Sequence, residues 1–143
     1  MKKTNLILII LMLCLTLFSG IASASKSKGI FIDLSSPDIF KIHRAFAVGT
    51  MLRTTQHVDV TVYISLAVTP YVNKDYPVAK MLSLRGQNVH QHMEDFMKVG
   101  GKIMVCSMCL AGHGIDQANM LPGLTTGMPG KLMMAEGVKL LSY

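Results

Sequence analysis

The stretch that decides the fold is residues 102–115, KIMVCSMCLAGHGI. It follows Gly100-Gly101 and opens with a short apolar run, which is typical of a buried strand. The run ends at Cys106, and a second cysteine, Cys109, and a glycine-flanked histidine, His113, come soon after it. Open α/β sheets bind their ligands at the edge where the strands end. The sequence therefore predicts that the Cys106 sulfur is functional and lies at the carboxyl edge of a sheet.

The rest of the chain alternates between strand and helix patterns. Ser35-Ser36-Pro37-Asp38 predicts a helix start with a serine N-cap, and that helix is expected to end near Arg53 or Thr54. This alternation predicts an α/β domain with a mainly parallel sheet and helices on both faces. The predicted strands are 29–34, 58–67, the one ending at Cys106 and a weak one at 124–127, with room for a fifth in 66–72; the other predicted helices are 77–84, 87–99 and 130–141.

The N-terminus predicts export. Lys2-Lys3 is a basic region, residues 6–18 are an apolar run, and Ala22-Ser23-Ala24 is a small-residue cleavage site. An uncleaved membrane anchor is the alternative, but the run is short for a span and the cleavage site is well formed. We therefore expect a signal peptide at 1–24 and a single mature domain at 25–143. The mature protein is expected to be periplasmic or secreted, with no membrane contact once the leader is removed.

Charge and motifs exclude several classes of function. Removal of Lys2 and Lys3 lowers the formal net charge from +6 to +4. The remaining basic residues are scattered and are not interleaved with aromatics, so nucleic-acid binding is not predicted. The chain has no Gly-x-Gly-x-x-Gly or Walker loop, and no cofactor is predicted. Ser35-Ser36 could bind an anion at a helix N-terminus, although capping is the simpler interpretation.

Two cysteines remain in the mature chain, because Cys14 lies in the leader. Cys106 and Cys109 close too small a loop to stabilise a fold by crosslinking, so they are either chemically active or simply buried thiols. A Cys-x-x-Cys pair also fits a reversible disulfide, but the Trp-Cys-Gly-Pro context of thioredoxins is absent. Haem attachment is excluded because Leu110, not histidine, follows Cys109.

The chain resembles the DsrE/DsrF-like family of small α/β sulfur-handling proteins over most of its mature length. The resemblance is carried by the first strand, by the helix around Arg44-Ala45-Phe46-Ala47, and above all by residues 105–115, VCSMCLAGHGI. It implies a flavodoxin-like, three-layer domain with about five strands that assembles into trimers or hexamers. It also implies a persulfide on Cys106, with Gly114 at the family glycine. His113 stands where many relatives have arginine.

The leading hypothesis is a sulfurtransferase-like carrier that binds or transfers sulfur as a persulfide. In it Cys106 carries the sulfur, Cys109 is the second thiol, and His113 tunes the sulfur or moves a proton. A sulfur donor or acceptor protein is the expected partner, beside further copies of the chain.

The alternative is a non-catalytic oligomeric protein that holds a soft metal ion or small ligand at Cys106, Cys109 and His113. Thiolate, thioether and imidazole ligands together suit Cu(I). A scaffold without chemistry is a third possibility. The methionines near the motif, Met104, Met108, Met120 and Met128, fit either such a site or the filling of gaps in a core. His90 and His92 are expected to face solvent, and His43 and His57 show no functional pattern.

Overall fold

The computed structural model describes residues 28–80 and 86–143. The predicted signal peptide at 1–24, Cys14 within it and residues 81–85 of the predicted helix 77–84 lie outside the described residues. Within the described ranges, no helix combines the length and the apolar character needed to cross a membrane.

Five parallel strands form one sheet in the order β4-β3-β2-β1-β5. This confirms the predicted α/β, flavodoxin-like three-layer fold with a parallel sheet of five strands. The strands are β1 (Gly29–Leu34), β2 (Val60–Ile64), β3 (Lys102–Cys106), β4 (Thr125–Gly127) and β5 (Val138–Ser142).

The helices differ greatly in length. The two long ones are α1 (Ile39–Gln56) and α2 (Val89–Lys98), while α3 (Ser107–Gly112) and α4 (Gly130–Met133) are short. Two 3-10 helices, Leu66–Val72 and Gln117–Asn119, lie in connections. The predicted strand 29–34, helix 87–99, strand ending at Cys106 and strand near 124–127 are all confirmed to within a few residues.

The C-terminal prediction is wrong. Residues 130–141 were expected to form one helix, but the helix stops at Met133 and β5 follows. Val138–Ser142 pairs with β1 over its whole length, from Gly29↔Val138 to Asp33↔Ser142. Short apolar runs fit either a helix or a strand, and here hydrogen bonding to β1 decides.

Three smaller corrections concern the connections. The predicted strand 58–67 stops at Ile64, and Leu66–Val72 is a 3-10 helix rather than a fifth strand. The N-cap of α1 is Asp38, not a serine, and its carboxylate accepts hydrogen bonds from the backbone N–H groups of Phe40 and Lys41. Residues 77–80 are irregular rather than helical.

The two faces of the sheet are covered unequally. Ile32, Val62 and Val105 are fully buried in the main core, which is formed with α1 and α2. Alternate residues such as Phe31 and Tyr63 point to the opposite face, because side chains alternate along a strand. On that face the short α4 places Leu132 over a cavity of about 170 Å³ beside Phe31. We call this second surface the α4 face.

A pair of histidines joins α1 to α2. His43 is 1% exposed, and its ring meets that of His92 edge to face with the ring centroids 4.5 Å apart. Neither nitrogen of His43, nor Nε2 of His92, has a hydrogen-bond partner. The expectation that His92 faces solvent is therefore wrong. His90 is also half-buried, with its Nε2 3.0 Å from the Tyr71 carbonyl oxygen.

Burial and the neighbouring His92 lower the pKa of His43 to about 4. Burial also lowers the pKa of His92, against the opposing effect of Asp95 one turn further along α2. Protonation of either ring is thus disfavoured in the folded protein, whereas the unfolded chain takes up protons at the ordinary histidine pKa of about 6.5.

We predict that the protein loses stability as the pH falls from about 6.5 to about 4. The loss attributable to His43 is about 3 kcal/mol in the free energy of unfolding, since its folded pKa is lowered to about 4. Urea unfolding across this pH range measures it. His43→Leu should flatten the pH profile, and His57→Asn, at an exposed position, should not. Equal acid losses in wild type and His43→Leu would contradict the assignment.

Candidate functional site at the Cys106–Cys109 pair

Cys106 is fixed by the sheet. Ile103 and Val105 point into the main core, so alternation turns Cys106, the last residue of β3, to the α4 face. There it belongs to a small buried cluster with Tyr63 and Phe31 and is 4% exposed. The prediction that a cysteine ends a strand at the carboxyl edge of the sheet is thus confirmed in its geometry.

The Cys106 sulfur also caps the next helix. Cys106 is the N-cap of α3, and its Sγ accepts a hydrogen bond from the backbone N–H of Cys109 at 3.2 Å. A backbone donor aimed at a sulfur favours the thiolate over the thiol. The chain reversal from β3 into α3 therefore places a hydrogen-bond donor on the predicted functional sulfur.

Cys106 and Cys109 are joined by a disulfide, with their Cα atoms 5.2 Å apart. The bridge spans only the first turn of α3, as expected for a pair that does not crosslink distant parts of the fold. The two cysteines differ in exposure to solvent, because Cys109 is a partly exposed residue while Cys106 is buried.

Leu66 brings a second backbone donor to the pair. β2 pairs with β3 up to Ile64↔Val105, so the chain leaving β2 runs beside the chain leaving β3. The N–H of Leu66 donates to the Cys109 Sγ at 3.3 Å. Leu66 has φ 52°, a left-handed conformation that leucine rarely adopts, and its side chain is 63% exposed. Strained residues of this kind concentrate at functional sites.

His113 acts on the sulfurs through Leu66. Its Nε2 lies 3.0 Å from the Leu66 carbonyl oxygen, so this nitrogen carries the hydrogen and donates it. Leu66 is thereby held at both its N–H and its carbonyl. The structure brings the three predicted site residues together, but the ring of His113 positions Leu66 and does not itself bond to either sulfur.

Tyr63 and Asp33 lie on the α4 face, on the strands next to the site. The Phe31 and Tyr63 rings stack with centroids 5.9 Å apart, and Asp33 is the register partner of Tyr63 on β1. Burial raises the pKa of Asp33, and burial together with the Asp33 charge raises the pKa of Tyr63. Sequence reasoning missed both residues and Leu66. The only available signal was that all three lie at or just beyond the ends of neighbouring strands.

The described part of the chain contains no cluster of ligands that would support the alternative of a metal site. Across residues 28–80 and 86–143, no group of three or more His, Cys, Asp or Glu side chains is placed to hold a metal ion. The methionines near the motif are also dispersed. Met104 packs beside the cysteines and Met120 lies in the main core, while Met108 and Met128 are exposed.

The proposed anion position after β1 is also filled by the protein itself. The N–H groups of Ser35 and Ser36 donate to the carbonyl oxygen of Tyr143. The carboxylate of Asp38 already occupies the start of α1. The two serines therefore neither cap α1, whose N-cap is Asp38, nor leave their backbone N–H groups open for an anion.

Gly114 ends α3 in a Schellman motif. Its φ is 64°, its N–H donates to the Ala111 carbonyl, and the N–H of Ile115 donates to the Leu110 carbonyl. Ile115 and Leu110 both belong to the main core. Gly114 thus fixes the turn that carries His113 towards Leu66.

Comparisons with known proteins show the fold. No protein-family model matches the sequence, and no curated protein matches it either. Among solved structures, the chain is similar to YchN of E. coli (20% identity, TM-score 0.62, covering 81% of this chain and 99% of that one). It is also similar to two proteins of unknown function. One is MTH1491 of Methanobacterium thermoautotrophicum (13% identity, TM-score 0.64, covering 80% of this chain and 97% of that one). The other is BT1422 of Bacteroides thetaiotaomicron (15% identity, TM-score 0.63, covering 85% of this chain and 99% of that one). At these identities the likenesses show the fold alone.

We predict that Gly114→Ala lowers the free energy of unfolding by about 1 kcal/mol, because alanine resists a positive φ. A Cβ at Gly114 would meet no atom within 4 Å, so the cost is conformational and not steric. Gly112→Ala is the matched control. It also has open space around it but lies inside α3 without a positive φ, so alanine should be neutral or slightly stabilising there. Equal effects of the two substitutions in chemical denaturation would contradict the role given to Gly114.

Proposed function

We propose that this protein is an exported sulfur carrier of the DsrE/DsrF-like family, in which the Cys106–Cys109 pair binds and transfers sulfane sulfur. The observation that carries the proposal is the state of Cys106. It ends an internal strand, accepts a backbone hydrogen bond, and lies within bonding distance of a second cysteine. The DsrE-like fold supports the proposal, and export is inferred from the sequence of residues 1–24 alone.

The chemistry needs only thiolate exchange. The Cys106 thiolate attacks the outer sulfur of a persulfide donor, a new S–S bond forms on Cys106, and the donor leaves as a thiolate. Transfer to an acceptor follows the same chemistry: the acceptor thiolate attacks the outer sulfur of the Cys106 persulfide, and Cys106 leaves as a thiolate. The N–H of Cys109 supports the anionic sulfur in each thiolate state.

Cys109 is positioned to remove the sulfur from a Cys106 persulfide. Attack of its thiolate on the inner sulfur of a Cys106 persulfide releases hydrosulfide and forms the Cys106–Cys109 disulfide. That disulfide is the state the structure contains. Cys109 is therefore proposed as the resolving thiol, and His113 as a positioning residue that acts through Leu66.

Assembly is part of the proposal. The helix α4, which covers the cavity beside Phe31 on the α4 face, has only four residues. Exposed apolar side chains surround it, with Leu140 on the edge strand β5 54% exposed and Met134 87% exposed. Exposed apolar patches of this kind mark interfaces. We propose that further copies of the chain cover this face in a trimer or hexamer.

We predict that Cys106→Ser abolishes sulfur uptake from polysulfide, whereas Cys109→Ser prolongs the life of the persulfide. The reason is that Cys106 is the carrier and Cys109 the thiol that removes the sulfur. Intact mass spectrometry of each reduced protein after polysulfide treatment measures both effects. Uptake by Cys106→Ser but not by Cys109→Ser would invert the two roles. A stoichiometric metal bound to both thiols, with no sulfur uptake, would support the soft-metal alternative.

We predict that the mature protein is a trimer or hexamer by light scattering at micromolar concentration. Leu140→Lys should shift it towards the monomer, because it places a charge on the proposed interface. Met51→Lys is the matched control, since Met51 is 50% exposed on α1, on the opposite side of the sheet. A wild-type monomer, or equal effects of the two substitutions, would count against the interface.

A further inference from the structure

We infer that the disulfide form of the protein is itself loaded, by hydrosulfide, and that the hydrosulfide attacks the sulfur of Cys109 rather than that of Cys106. This inference rests on the proposed function and names a substrate class for it, the simplest inorganic sulfur nucleophile. It concerns the oxidised state, whereas loading of Cys106 by persulfide donors concerns the reduced state.

Access to solvent separates the two sulfurs. A disulfide is opened at whichever sulfur a nucleophile can reach, and the other sulfur leaves. Cys106 is 4% exposed and belongs to the buried cluster with Phe31 and Tyr63, so it is the less accessible of the two cysteines. Cys109 is partly exposed on the first turn of α3. Cys109 is therefore the more accessible electrophile for a small nucleophile in solution.

A hydrogen-bond donor is in place for this direction of cleavage. When Cys109 is attacked, negative charge develops on the departing Cys106 sulfur, and the N–H of Cys109 already points at that sulfur at 3.2 Å. Donors in place where charge develops lower the barrier without reorganisation. The Cys109 sulfur also receives a backbone donor, from Leu66, which His113 holds in its strained conformation. Solvent exposure, and not hydrogen bonding, therefore distinguishes the two cysteines.

The step balances without a further oxidant. An electron pair of hydrosulfide forms a new S–S bond to the Cys109 sulfur, and the pair of the Cys106–Cys109 bond leaves with Cys106. Cys109 then bears the persulfide, and Cys106 is a thiolate. The sulfur of hydrosulfide is oxidised and the protein disulfide is reduced, so the disulfide is the oxidant. The reverse attack by Cys106 on Cys109 returns hydrosulfide and the disulfide.

The test treats the oxidised wild-type protein with sodium sulfide, quenches early with an excess of iodoacetamide, and maps the peptide containing both cysteines by fragmentation. The expected result is one extra sulfur atom on alkylated Cys109 and a simply alkylated Cys106. Cys106→Ser and Cys109→Ser, which cannot form the disulfide, should gain no sulfur from sulfide. Polysulfide treatment of the reduced wild type runs in parallel as the test of the proposed function.

Leu66→Gly probes the geometry. Glycine keeps the N–H donor, accepts φ 52° without strain, and removes an exposed side chain beside Cys109. Sulfide should load the disulfide of the Leu66→Gly variant at least as fast as that of wild type, and the added sulfur should again be on Cys109.

The other outcomes separate this inference from the proposed function. Extra sulfur on Cys106, or no reaction of the disulfide with sulfide, would overturn the inference. Reduction to two plain thiols without retained sulfur would overturn it as well. If the reduced protein still takes sulfur from polysulfide in any of those cases, the proposed function stands. If neither treatment loads sulfur, both fail.

Discussion

The site depends on the parallel pairing of β2 with β3. The register runs from Thr61↔Lys102 to Ile64↔Val105, and both strands end at the same edge. The residues just past the two strand ends are therefore neighbours, although more than forty positions separate Leu66 from Cys109 in the sequence. Every contact of the sulfur pair with the rest of the chain at that edge follows from this register.

The same edge includes a strained backbone conformation. Leu66 takes a left-handed conformation that leucine disfavours, typically by 1 kcal/mol or more. The surroundings hold it there through two hydrogen bonds, from Leu66 N–H to the Cys109 sulfur and from His113 to the Leu66 carbonyl. With fewer hydrogen bonds, this residue would relax to a less strained backbone conformation. The strain and the hydrogen bond to sulfur are thus parts of one arrangement.

The sheet is asymmetric, and this asymmetry separates stability from function. One face is covered by α1 and α2, whose shared interface includes the buried His43–His92 pair. The α4 face is covered by little more than four helical residues in the described chain, and it is the face on which Cys106 lies. The main core is therefore complete on one side of the sheet, while the α4 face is less covered in the described residues.

Local patterns in the sequence determined much of the fold and the central element of the site. The apolar run before Cys106 predicts a buried strand because its side chains leave no polar face, and the glycines before it end the preceding helix. Gly100 does so with φ 84°. The cysteine at the strand end, the helix 87–99 and the α/β alternation follow from such signals. Each depends on residues close together in the chain.

What only the tertiary structure decided depends on residues far apart. Residues 138–142 read equally well as helix or strand, and hydrogen bonding to β1 makes them a strand. His43 and His92 carry no local signal, because their burial arises where α1 meets α2. Leu66 falls within the predicted strand 58–67, but the strand ends at Ile64 and Leu66 instead contacts Cys109 and His113. Local patterns identify the elements with strong signals, whereas contacts between distant segments decide the ambiguous ones and determine which side chains come together at the Cys106–Cys109 site.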